Sequence, residues 1–175
     1  MHEFPIAGLI MNKFRYLLTG IILSVSTAVA NASDSITVRT IGMELARDIA
    51  NESIVACRKA GYQVSAVVVD RTGIVQAMLR DDLASRFTLQ IAQEKANSVI
   101  LSGLNSGAFR QMRSDIRPEL NHMDDLIVMQ GSLPIEIAGS RIGAIGVSGA
   151  PGGDIDEQCA KQAINKFRDR LEFGD

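Results

Sequence analysis

The chain has no tryptophan, and aromatic residues make up only 5% of its 175 positions. It also lacks a glycine repeat, a heptad run and a low-complexity tract, so collagen-like, coiled-coil and disordered architectures lose their usual signatures. Basic charge is scarce and scattered: 18 Lys and Arg stand against 20 Asp and Glu, for a formal charge of -2. No basic block is present to follow a phosphate backbone, which argues against nucleic-acid binding. Histidine occurs only as His2 and His122, too few for a multi-histidine zinc site. The two cysteines, Cys57 and Cys159, permit at most one internal bridge. What the chain does have is 46% hydrophobic residues, enough for one compact domain with a real core.

The first residues read as a leader. From Met11, the basic Asn12-Lys13-Phe14-Arg15 precedes an apolar run from Tyr16 to Ala30, and Ala30-Asn31-Ala32 is followed by polar Ser33-Asp34-Ser35. A basic start, an apolar centre of about 7–15 residues and a small-x-small end describe a secretory signal peptide. Thr19, Ser24, Ser26 and Thr27 interrupt the run, which falls short of the roughly 20 apolar residues that span a bilayer. The reading is therefore a start at Met11, cleavage after Ala32, residues 1–10 upstream of the leader, and a mature domain over 33–175. An exported chain, periplasmic or secreted and with no membrane span in its mature part, is the expectation.

Within 33–175 the hydrophobic period changes several times. Leu45, Ala46, Ile49, Ala50, Ser53, Ala56, Cys57 and Ala60 recur at three and four, which predicts an amphipathic helix over Thr37–Ala60 ended by Gly61. Its small inner residues suit close approach to a sheet. Valine-rich Gln63–Asp70 and Ile74–Arg80, joined by Arg71-Thr72-Gly73, predict a hairpin. A second helix is expected over Ser85–Leu101, then a long functional loop over Leu104–Asp125. Three strands follow, Leu126–Gln130, Leu133–Ile137 and Arg141–Val147, with Gly139-Ser140 as a type II′ turn. A helix over Asp154–Leu171, with Asp154 and Glu157 as a capping box, closes the chain. Hairpins demand antiparallel pairing, so the class is α+β, a single domain of sheet flanked by helices.

Gly143–Gly153 runs from a strand into a helix, where free amides favour an anion such as a carboxylate. It is no P-loop, because no lysine-serine or lysine-threonine pair follows the glycines. His122 is the natural single axial donor for an iron porphyrin, with Met112, Met123, Met129 and Tyr62 as rivals. Arg110, Arg113 and Arg117 share its loop and suit a pair of carboxylates. Ser148 lacks the Gly-x-Ser-x-Gly context of a hydrolase nucleophile. Asp70, Asp81, Asp82, Asp124 and Asp125 match ordinary turn chemistry as well as paired carboxylates. Cys57 and Cys159 fall on the inner stripes of helices that could be neighbours, and both a disulfide and two buried thiols satisfy that placement.

Four ordered stretches carry a family resemblance: Val67–Val75 continuing through Leu79-Arg80-Asp81-Asp82, Ala92-Gln93-Glu94-Lys95-Ala96, Leu133-Pro134-Ile135, and Gly143–Gly149 with Asp156-Glu157. Together they resemble the GlcG/HbpS family, also called the haem-degrading domain family, over about residues 38–172. The resemblance implies a profilin-like antiparallel sheet between helices and a homo-oligomer. It implies haem as cofactor, in the service of haem or iron sensing, storage or redox protection. The matching positions are Asp70, Gly73, Arg80, Lys95, Gly146, Ser148 and Gly149, as pocket or structural residues. Ala150-Pro151-Gly152-Gly153 departs from the family's commoner glycine-rich pattern followed directly by acidic residues, so the pocket rim differs.

Combined with the residue reading, this places haem against the segment from Arg80 to His122. Its propionates would meet arginines such as Arg113 or the amides of Gly149–Gly153, and its iron would meet His122. Binding is favoured over catalysis, since no general acid or base stands out; an enzymatic member would be haem-degrading or peroxidase-like. The alternative is haem-independent: a small-carboxylate or corrinoid-related binding module, or an oligomeric scaffold for an exported sensor domain.

Overall fold

The computed structural model describes residues 34–173, so the expected leader and its cleavage point lie outside the described residues. The chain divides into two units, Met1–Ile36 and Thr37–Asp175, and every helix and strand named below lies in the second. Its elements in order are α1 (Met43–Lys59), β1 (Ser65–Asp70), β2 (Val75–Arg80), α2 (Phe87–Ser102), α3 (Ser106–Met112), α4 (Arg117–Leu120), β3 (Ser132–Ile137), β4 (Ser140–Ser148), α5 (Gly153–Lys166) and α6 (Arg168–Phe173). The strands form one antiparallel sheet in the order β2-β1-β4-β3. The fold is α+β, as the hairpin signals require.

β1 explains the layering. Its side chains alternate between faces, and both faces are covered. Ala66 and Val68 join Ile49, Ile54, Ile145 and Val147 in a core under α1 and α5. Val67 and Val69 join Ala92, Ala96 and Val99 under α2. This is why the segment reads as a continuous valine run rather than an alternating one. Gly146 sets the spacing of the second layer: a Cβ there would strike the Ala92 carbonyl of α2. The Cys57 and Cys159 sulfurs are bonded, joining α1 to α5 across a Cα–Cα distance of 5.4 Å.

Several expectations need correction. Leu126–Gln130 is not a strand. Its backbone is drawn away from the sheet, the Val128 amide donating to Asn121 Oδ1 at 2.8 Å and the Ile127 amide to the Glu94 carbonyl of α2 at 3.5 Å. The β3–β4 turn is centred on Ala138 and Gly139, both at positive φ (48° and 77°), rather than on Gly139-Ser140. Two positive φ values give the I′ geometry that matches strand twist. Finally, α5 starts at Gly153, with Gly152 as its cap and no side-chain cap bond, so Asp154 and Glu157 form no capping box. The closing helix also breaks at Phe167, which separates α6 from α5. The expected long loop, for its part, contains α3 and α4.

Candidate functional site

A cleft of about 500 Å3 opens where the start of α5 meets α2, α3, α4 and the segment 128–130. One wall is backbone. β4 ends at Ser148, the chain turns through Gly149 at φ 135°, and α5 begins at Gly153. A Cβ at Gly149 would lie 2.7 Å from the Gln63 carbonyl oxygen, so only glycine lets the turn sit this close to β1's approach. The Ile155 and Asp156 amides donate to the Gly152 carbonyl at 3.1 and 3.2 Å, which leaves the Gly153 and Asp154 amides at the start of α5 ahead of the helical ladder, where they present partial positive charge to the cleft.

The opposite wall carries Arg110 of α3 and Arg117 of α4, together with Asn121. Among the described residues neither guanidinium sits in an ion pair, whereas Arg47, Arg58, Arg113 and Arg170 all do. Two guanidiniums outside any described ion pair, facing the start of α5, make an anion-binding arrangement, and arginine's planar fork suits carboxylates in particular.

The floor is an ion pair. Lys95 of α2 and Asp156 of α5 meet at 2.8 Å with side chains only 2% and 3% exposed. Lys95 Nζ also donates to the Val147 carbonyl at 3.0 Å, and the other Asp156 oxygen accepts the Ala150 amide at 3.0 Å. Burial pushes the Asp156 carboxyl above its usual range, against the opposing pull of Lys95.

The structure brings Lys95, Ser148 and Gly149 to this cleft, with Arg110, Arg117 and Met129, and leaves Arg80, Arg113, Gly146, His122, Asp70 and Gly73 elsewhere. Arg80 turns its guanidinium into the 81–84 turn, donating to the carbonyls of Asp81, Asp82 and Ala84. Arg113 caps the end of α3 and pairs with Asp115 at 3.3 Å. Gly146 is a packing position under α2. His122 is exposed and borders a neighbouring cavity of about 580 Å3 that shares Asn121 with the cleft. Asp70 shapes the β1–β2 loop by accepting from the Thr72 amide and hydroxyl, both at 2.7 Å. Gly73, at φ 93°, completes that loop.

The sequence offers Arg110 and Arg117 among three loop arginines and Asp156 within a family motif, yet nothing in it separates those two arginines from Arg113. The 3.6-residue period would have placed Arg110 inside a helix had α3 been recognised from its Asn105 cap, whose side chain accepts the Ala108 amide.

The comparisons with known proteins agree on the lineage. Protein GlcG of Escherichia coli K12 is 31% identical over 91 residues, covering 52% of this chain and 68% of GlcG. A double mutant of Streptomyces reticuli HbpS superposes with a TM-score of 0.72 at 28% identity, covering 77% of this chain and 91% of that one. A complex of PduOC with haem shares the fold at TM-score 0.63 and 16% identity, covering 72% and 94%. The family model described as haem degrading protein HbpS-like matches residues 41–165. With that match over most of its length, the chain belongs to the HbpS-like family.

Proposed function

We propose that this protein binds haem, and that the cleft between α3, α4 and the start of α5 takes its carboxylates. The observation that carries the reading is the convergence of Arg110 and Arg117, neither in an ion pair among the described residues, on the turn Gly149–Gly153 and the start of α5. Membership of a family described as haem-degrading supports haem over other carboxylates. A domain of this fold solved as a haem complex supports it further.

The donor set fits in two parts. Arg110, Arg117 and the turn would hold the propionates. His122, the imidazole nearest in sequence to this wall, would serve the iron from beside Asn121, and Met129 lines the cleft itself. Haem, when bound, supplies a redox-active iron; the chain's own groups bind, orient and shield it. No acid or base stands free in the cleft, because the one carboxylate on its floor is held by Lys95 and the Ala150 amide. Binding for sensing, storage or redox protection is therefore the reading, in preference to turnover.

Haemin titration into protein beginning at Ser33, followed by absorption, tests it. Saturable binding near one haem per chain is expected, with the spectrum altered in His122→Ala. A second reading, a haem-independent binder of small carboxylates, is favoured by one observation: among the described residues no histidine lines the cleft. It requires that haemin and metal-free protoporphyrin bind alike and that His122→Ala leaves the haemin spectrum unchanged. Export to the periplasm or beyond belongs to the same proposal and rests on the leader motif at 11–32. Assembly into a homo-oligomer and contact with an exported sensor domain extend it. Among the described residues no helix is long and apolar enough to cross a membrane.

A further inference from the structure

Resting on the reading of this cleft as a carboxylate site, we infer that Asp156 is its positioning residue, and that Lys95 serves Asp156 rather than the ligand. The two residues are 61 positions apart and meet only through the fold. Asp156 divides its two oxygens: one accepts the Ala150 amide at 3.0 Å, the other Lys95 Nζ at 2.8 Å. Lys95 Nζ completes the clamp on the Val147 carbonyl at 3.0 Å. Three points along the exit from β4, at 147, 150 and 156, are thus tied to one cation on α2.

The backbone packs closely around that clamp. Behind it, a Cβ at Gly131 would lie 2.6 Å from Lys95 Nζ and 2.8 Å from the Val147 carbonyl oxygen. At the far end a Cβ at Gly153 would strike the Gln130 carbonyl, which fixes the start of α5 against the segment 128–130. Between these contacts the turn runs through Ala150, whose amide bond to Asp156 is the side-chain tie that holds it. The same pair also neutralises Lys95, so the cleft's attraction for an anion comes from Arg110 and Arg117. Lys95 has its charge and two of its donors committed at 2% exposure and is no ligand contact.

Two double variants separate these roles, because both remove the ion pair and neither leaves a lone buried charge. Lys95→Met with Asp156→Asn keeps an oxygen that accepts the Ala150 amide; Lys95→Met with Asp156→Leu does not. Each is checked for a cooperative melt and for strand amide protection. Two further readouts are taken against wild type: haemin affinity, and hydrogen exchange of the Ala150 amide. The asparagine variant should bind haemin within about twofold of wild type, while the leucine variant binds roughly tenfold more weakly and exchanges Ala150 roughly tenfold faster, the scale of one lost buried hydrogen bond. Equal affinity in the two variants overturns the positioning role. An asparagine variant that binds haemin far more weakly than wild type overturns the claim that Lys95 avoids the ligand. If wild-type protein takes up no haemin, the haem reading fails by itself. Ala150 exchange then decides this inference alone: selective acceleration in the leucine variant supports it, and uniform exchange refutes it.

Discussion

Removing the Cys57–Cys159 bridge gives the clearest stability prediction. The bridge closes a loop with a sequence separation of 102 residues. In the chain-entropy model a loop of that length lowers the free energy of the folded state relative to the unfolded chain by about 4.7 kcal/mol at 25 °C. A domain of roughly 140 residues has an unfolding entropy near 0.3 kcal/mol/K, so Cys57→Ala with Cys159→Ala should lower Tm by about 16 °C. Both sulfurs are buried in the α1–α5 core, at 0% and 2% exposure, so the cavities left behind deepen the loss. Alanine is the proper replacement, since serine would bury two hydroxyls and add their desolvation. The assay is differential scanning calorimetry without reductant, beside thiol titration of the denatured wild type. A fall of less than about 5 °C, well under what the loop entropy implies, would refute the reasoning. Two free thiols per wild-type chain would refute the bridge itself.

Three further outcomes follow from particular contacts. Lys95→Met alone strands the Asp156 carboxylate in a nearly dry site and should cost about 3–5 kcal/mol in denaturant unfolding, with most of that recovered by adding Asp156→Asn. Gly146→Ala pushes a methyl into the Ala92 carbonyl and should cost about 1–3 kcal/mol by chemical denaturation, whereas Gly42→Ala, with nothing within 4 Å of its Cβ, should not lose stability to a clash. Arg58, donating from Nε and Nη2 at 2.7 Å each, holds the Asp81 carboxyl below its usual range. A lowered folded pKa stabilises fully above the unfolded value of about 3.9 and is lost as pH falls through the folded one, so Asp81→Asn should flatten the decline of Tm between about pH 5 and pH 2.5. An equally steep decline in that variant sinks the assignment; Asp156 and Glu157, raised by burial, act in the opposite sense in both proteins.

Local pattern made the layers legible. β1 announced itself by its valines, α1 by its small stripe, and the family motifs fell on the strands and on the helices α2 and α5 that cover them. What the sequence concealed was set by tertiary choice. Leu126–Gln130 has strand composition, yet Asn121 and Glu94 take its amides before a strand can. Of three arginines in one loop, α3 and α4 turn Arg110 and Arg117 to the cleft and leave Arg113 beside Asp115. A pair such as Lys95 and Asp156 has no local signature, because its partners meet only when α2 and α5 reach the same end of β4. Gly146 is expected as a pocket or structural residue, and it is structural: it lets α2 approach the sheet.

The central claim is that Arg110 and Arg117 hold carboxylates in the cleft, and the most direct measurement is haemin affinity of Arg110→Ala with Arg117→Ala beside wild type and Arg113→Ala. At about 1.5 kcal/mol or more for each charge-assisted contact, the double variant should bind at least roughly a hundredfold more weakly at low salt. Arg113→Ala, already paired outside the cleft, should bind as wild type does. A double variant that binds haemin as tightly as wild type, with its melt unchanged, would contradict the account.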